Sequence, residues 1–114
     1  MSTKKILGTP TVTAARTFKR FVTMPSPHWE FCVEGDPHPD AGEQIMMGSV
    51  FAIVTFQGVA DPGTYAMNGS GSVYKTAKIT STPSGAEPIQ AKVKASYIYQ
   101  RESNAENFTT GACP

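Results

Sequence analysis

Residues 28–40 hold the densest cluster of side chains able to ligate a metal or move a proton, among them His28, Cys32, Glu34, Asp36, His38 and Asp40. A shared zinc ion is the first chemistry to consider. In an extended segment His28 and Cys32 fall on one side about 13 Å apart, whereas zinc ligands must each sit about 2.0–2.3 Å from the metal. Asp36-Pro37-His38-Pro39-Asp40 reads instead as a rigid turn, its prolines fixing the backbone and its carboxylates capping and solvating it. A Cys32 nucleophile served by His28 or His38 meets a similar objection, because no third orienting group and no glycine-rich oxyanion turn stands beside it. Gly69-Ser70-Gly71-Ser72 has no lysine and no strand-to-helix setting, so it is a bend and not a phosphate loop. The expectation is a protein with no catalytic residue, no metal and no cofactor.

The elements that would hold these residues are extended. Thr9 to Thr23 is rich in β-branched and aromatic residues and reads as strand, with a break near Ala14-Ala15. Met24-Pro25-Ser26-Pro27 cannot continue a ladder, since two prolines remove two donors. Trp29, Phe31 and Val33 then alternate with His28, Glu30, Cys32 and Glu34, the pattern of a half-buried strand whose apolar residues are core. Asp40 would cap a short helix over Ala41 to Met47, with Glu43 completing a capping box and Gly48 ending it. Ile45, Met46 and Met47 would pack that helix.

Val50 to Phe56 is nearly all apolar, which predicts a strand covered on both faces. Asp61-Pro62-Gly63 is a turn, and strand resumes at Thr64 to Met67 and at Val73 to Thr82. The interruption at Asn68 to Gly71 is a tight hairpin or a bulge. After Pro83-Ser84-Gly85, Ile89, Ala91, Val93, Ala95, Tyr97 and Tyr99 alternate with polar partners up to Gln100. Such a strand would run about 40 Å, long enough for one end to project and pair elsewhere. Glu102 to Pro114 reads as a polar tail that only Phe108 could anchor, and Met1 to Gly8 as an N-terminal arm.

The chain has 114 residues, 39% of them hydrophobic, and a formal net charge of +1. That is one domain, residues 1–114, too short for a two-domain enzyme and too apolar for a disordered chain. Near neutrality argues against a nucleic-acid-binding face. Basic residues cluster modestly at Lys4-Lys5, Arg16, Lys19-Arg20, Lys75, Lys78, Lys92 and Lys94, and Lys92 and Lys94, on the polar side of the last strand, are expected as solvated edge lysines and not as phosphate contacts. No apolar run suits a signal or a membrane span, so the expectation is a soluble chain made in the cytoplasm. Two cysteines, Cys32 and Cys113, are then expected to be reduced.

The order of these pieces resembles the tail tube (major tail) protein of long-tailed bacteriophages. The resemblance rests on Trp29 on a strand leading into Glu34-Gly35-Asp36-Pro37, then Asp40-Ala41-Gly42-Glu43-Gln44 opening a short helix. Val50 to Phe56 follows, then a Gly-rich Tyr65 to Tyr74, Ala77-Lys78-Ile79-Thr80-Ser81, a Pro-Gly turn and the closing strand. It implies a mainly β, antiparallel β-sandwich with one short flanking helix, whose strands join a multi-subunit β-barrel on assembly. Six copies would close into a ring and rings would stack into a tube, found in the virion tail and built in the host cytoplasm. Partners would be copies of itself, a tape-measure protein, a tail terminator and DNA passing through the lumen, with no membrane involved. Contacts between subunits would come from Val50, Ala52, Val54 and Phe56 and from Val93, Ala95, Tyr97 and Tyr99. The lumen would be biased toward negative charge, lined either by Glu30, Glu34 and Asp36 or by Lys92 and Lys94. Two other readings fit a β-rich neutral chain: a capsid decoration, head-completion or neck protein, and a small β-barrel binding module using Tyr65, Tyr74, Tyr97 and Tyr99 with nearby lysines.

Overall fold

The computed structural model describes residues 9–21, 27–38, 50–96 and 100–113. The fold is a β-sandwich of two sheets. The first is ordered β10-β1-β2-β6-β5 and the second β4-β3-β7-β8, with β9 also on β7. The strands are β1 (Thr11–Arg20), β2 (His28–Asp36), β3 (Val50–Phe56), β4 (Gly63–Ala66), β5 (Asn68–Ser70) and β6 (Val73–Lys75). They continue with β7 (Pro88–Ser96), β8 (Gln100–Glu102), β9 (Glu106–Asn107) and β10 (Thr109–Thr110). All pairings are antiparallel except β1 with β10.

Alternation along each long strand decides which residues meet between the sheets. Ala15 of β1, Phe31 and Val33 of β2, Val50, Ala52, Val54 and Phe56 of β3, and Ala91 and Val93 of β7 form the core with Met67. Phe31 is its hub. Its ring lies edge-on to Phe56, Tyr65 and Phe108, with centroids 5.7, 5.2 and 5.8 Å away, the geometry that brings positive ring edges to negative faces. Gly35 lets the sheets close: a Cβ there would run into the Val93 side chain and lie 3.0 Å from the Thr11 carbonyl.

Phe31 and Val33 are core as expected, but Trp29 is only half-buried. It pairs with Lys19 near the end of the β1–β2 ladder, and the Lys19 ammonium stands 5.0 Å from its ring centroid, a cation over a π face. The break foreseen near Ala14-Ala15 is a register shift between Val12 and Ala14. β3 departs from expectation, because Phe51 and Ile53 are half-buried and Thr55 is exposed. They face outward opposite Lys94, Lys92 and Gln90, and long lysine stems can shield such apolar neighbours.

The interruption at Asn68–Gly71 is a hairpin: Ser70 pairs with Val73, and Gly71 takes the positive φ of +60° that a two-residue turn requires. The strand expected over 73–82 stops at Lys75. Thr76 takes over there, its N–H donating to the Val33 carbonyl and its Oγ1 accepting from the Val33 N–H. Ile79 then exchanges both bonds with Phe31. The predicted helix over 41–47 lies outside the described residues. Among those described, the one helical turn is the 3-10 turn Pro83–Gly85.

The largest difference is at the C-terminus. β7 ends at Ser96, and the chain returns as β8, pairing Lys94 with Glu102 and Ala95 with Arg101. Ser103 follows, its N–H donating to the Val93 carbonyl and its Oγ accepting from the Val93 N–H. The edge that an overlong last strand would have offered is therefore filled by the chain's own next residues. Phe108 does anchor the segment, but the residues expected as a tail add short strands to both sheets, Glu102 in β8, Glu106–Asn107 in β9 and Thr109–Thr110 in β10.

Candidate functional site

The outer face of the first sheet gathers most of the residues singled out above. β2 presents His28, Glu30, Cys32 and Glu34 there, and β1 presents Arg16, Phe18 and Arg20, paired respectively with Cys32, Glu30 and His28. Glu30 is the centre. Its carboxylate, 9% exposed, meets Arg20 Nε at 3.2 Å, His28 Nε2 at 3.4 Å and Lys78 Nζ at 3.9 Å. Burial pushes the Glu30 carboxyl up, but the Arg20 guanidinium beside it, with Lys78 and His28, prevails and holds it below its usual range.

The other candidate ligands are similarly engaged. Glu34 meets Lys75 at 3.8 Å. Asp36 accepts from the His38 backbone N–H at 2.8 Å and faces the His38 ring at 3.4 Å. His38 itself sits at φ +48°, a left-handed conformation held by that local turn. Asp40 lies outside the described residues. Cys32 is not a thiol: it is bonded to Cys113, 81 residues further on. The expected reduced pair is thus corrected. The C-terminal segment crosses the β1 edge and delivers Cys113 to the face on which Cys32 projects.

Beside this bond lies a cleft of about 170 Å³ lined by Arg16, Glu34, Lys75 and Lys78 along with the two cysteines. No spacing rule links Cys32 to Cys113, so no sequence signal could have found the cleft. Among the described residues no cluster of three or more His, Cys, Asp or Glu is placed to hold a metal ion.

Six of the eight residues expected to join subunits turn inward. Val50, Ala52, Val54, Phe56, Val93 and Ala95 are each at most 4% exposed, because strand alternation gives them to the chain's own core. Tyr97 and Tyr99 lie outside the described residues. A contact through β3 and β7 would have to use the outward Phe51, Ile53, Lys92 and Lys94. Tyr65 and Tyr74 are half-buried and pack against the core, which removes them as an open stacking platform. Burial also raises the Tyr65 hydroxyl above its ordinary range.

Among the described residues, what remains open is main chain. β10 covers β1 only at Arg16 and Thr17. Phe31 and Val33 make their bonds away from β1, to Ile79 and Thr76. Their partners Thr17 and Ala15 must therefore also point their N–H and C=O groups away from β2, and Lys19 and Trp29 continue the series. On the outer side of β1, the Thr17 carbonyl accepts from the Gly111 N–H and the Ala15 carbonyl accepts from Thr109 Oγ1. At the Lys19–Trp29 level the first sheet is two strands wide among the described residues. Phe18 and Phe21, 36% and 70% exposed, lie at this same end.

No protein-family model, curated protein or solved structure matches the chain. No helix among the described residues is long and apolar enough to cross a membrane.

Proposed function

We propose that this chain is a structural subunit that assembles with copies of itself, and that the assembly is a phage tail tube of stacked, hexameric rings in the virion. The supporting observation is that, among the described residues, the ladder at Lys19 and Trp29 is unfilled. A bare sheet edge flanked by exposed phenylalanines either aggregates or is completed by another strand. Ring closure completes every copy in the same way. The β-sandwich, with Glu30, Glu34 and Asp36 engaged in ion pairs among the described residues, agrees with a scaffold role, and the sequence resemblance supplies the particular scaffold.

Negative-stain microscopy of the purified chain tests this, with Lys19→Pro as the discriminating variant. The Lys19 N–H points away from β2, so proline there removes no backbone hydrogen bond among the described residues while blocking strand addition. Rings or tubes from the parent chain, and a folded monomer from Lys19→Pro, are the expected results. A parent chain that stays monomeric at high concentration in oxidised and reduced buffers, or a Lys19→Pro variant that assembles normally, overturns the reading.

A further inference from the structure

We infer that the Cys32–Cys113 disulfide is a latch on the β1 edge, and that its reduction frees the edge to pair with a second copy of this chain. The inference rests on the reading of β1 as the assembly edge. Beyond Phe108 the C-terminal strap has little else to hold it. Thr109 and Thr110 are exposed, Gly111 is half-buried and Ala112 is exposed. Its bonds to β1 include Gly111 N–H to the Thr17 carbonyl at 3.0 Å and Thr109 Oγ1 to the Ala15 carbonyl at 3.2 Å. Two residues of strand with no buried apolar side chain are a weak closure. The covalent bond makes that closure lasting.

Opening it changes how much edge is on offer. With the strap in place, Lys19 continues the outward series beyond the two covered residues. With the strap released, Ala15, Thr17 and Lys19 form one continuous outward series, enough for the strand of a neighbour to form several ladder bonds. The cleft gives a reductant access to the bond, and its three cations, Arg16, Lys75 and Lys78, outnumber its one carboxylate, Glu34. Positive surroundings favour a thiolate leaving group.

The reductant is a soluble dithiol. Its thiolate attacks one sulfur of the pair, forming a mixed disulfide and expelling the other cysteine as thiolate. The dithiol's second sulfur then attacks the mixed disulfide and releases the first cysteine. The protein gains two electrons and two protons, and the dithiol leaves as its own disulfide.

Amide hydrogen exchange and light scattering on the full chain test this, with and without dithiothreitol and with Cys113→Ser as a permanently open form. Reduction is expected to speed Gly111 exchange about tenfold or more while Val54 and Val93 amides hold their protection, since only local opening is involved. Mass should rise above the monomer in the reduced and Cys113→Ser samples, and Lys19→Pro should prevent that rise. Unchanged Gly111 exchange on reduction overturns the latch. A released strap with a chain that stays monomeric overturns the edge as the acceptor of a second copy. Equal assembly in both redox states overturns the gating while leaving the tube-subunit reading standing, and assembly in neither state removes both.

Discussion

Phe108→Ala tests whether the last dozen residues belong to the core. Phe108 is half-buried, its ring meets Phe31 edge-on at 5.8 Å with an 86° interplanar angle, and its N–H donates to the Ile89 carbonyl at 3.0 Å. Truncating a fully buried phenylalanine to alanine costs about 3–5 kcal/mol. Half burial reduces this to about 2 kcal/mol, and loss of the edge-to-face contact with Phe31 adds about 0.5 kcal/mol or more. The expected loss is therefore about 2.5 kcal/mol, a large share of the roughly 5–15 kcal/mol a small domain has in total. With a urea dependence of about 1–3 kcal/mol per molar, the midpoint should fall by about 0.8–2.5 M. The assay is urea unfolding followed by Trp29 fluorescence under oxidising conditions, so that the disulfide is the same in both proteins. A midpoint within about 0.3 M of the parent would show that the ring is not packed as described and that the segment is a tail after all.

Glu30→Gln should cost about 1–2 kcal/mol at neutral pH, discounted from a fully buried pair because Arg20 and Lys78 are 39% and 50% exposed on their side chains. The Glu30 carboxyl is held below its usual 4.5, so its stabilising contribution is present above that value and is lost as pH falls through the folded-state value. Urea midpoints measured from about pH 6 down to about pH 3 should therefore fall more steeply for the parent than for Glu30→Gln, and parallel curves would refute the assignment. Gly35→Ala should destabilise by about 1–3 kcal/mol, as overpacking does, because the added methyl meets Val93 and the Thr11 carbonyl. A thermal midpoint equal to the parent's would mean that the sheets have room there.

Local pattern carried the strands well. Alternation in His28–Glu34 placed Phe31 and Val33 inward and Glu30, Cys32 and Glu34 outward, and the same rule placed Ala91, Val93 and Ala95 opposite Lys92 and Lys94. Period-two burial is written residue by residue, so it is legible wherever one face is dry. It fails where the same residues serve either purpose. Val50, Ala52, Val54 and Phe56 are equally suited to a contact between copies and to a single chain's core, and only the arrival of β7 and the first sheet settles which. Tail and sheet are likewise indistinguishable in Glu102 to Cys113, because its pairing partners, Val93, Ile89 and Thr17, lie elsewhere in the chain.

Composition and alternation by themselves determined a neutral, strand-rich domain with acids and lysines on its outer faces, since those properties depend on near neighbours in the chain. Tertiary structure alone decided that Cys113 meets Cys32, that Ser103 and Thr76 complete neighbouring strands, and that main chain at Lys19 and Trp29 is open among the described residues. The physical reason is that hydrogen-bond completion across a sheet is a long-range property: the backbone groups are the same in every residue, and only the three-dimensional path says which of them find partners.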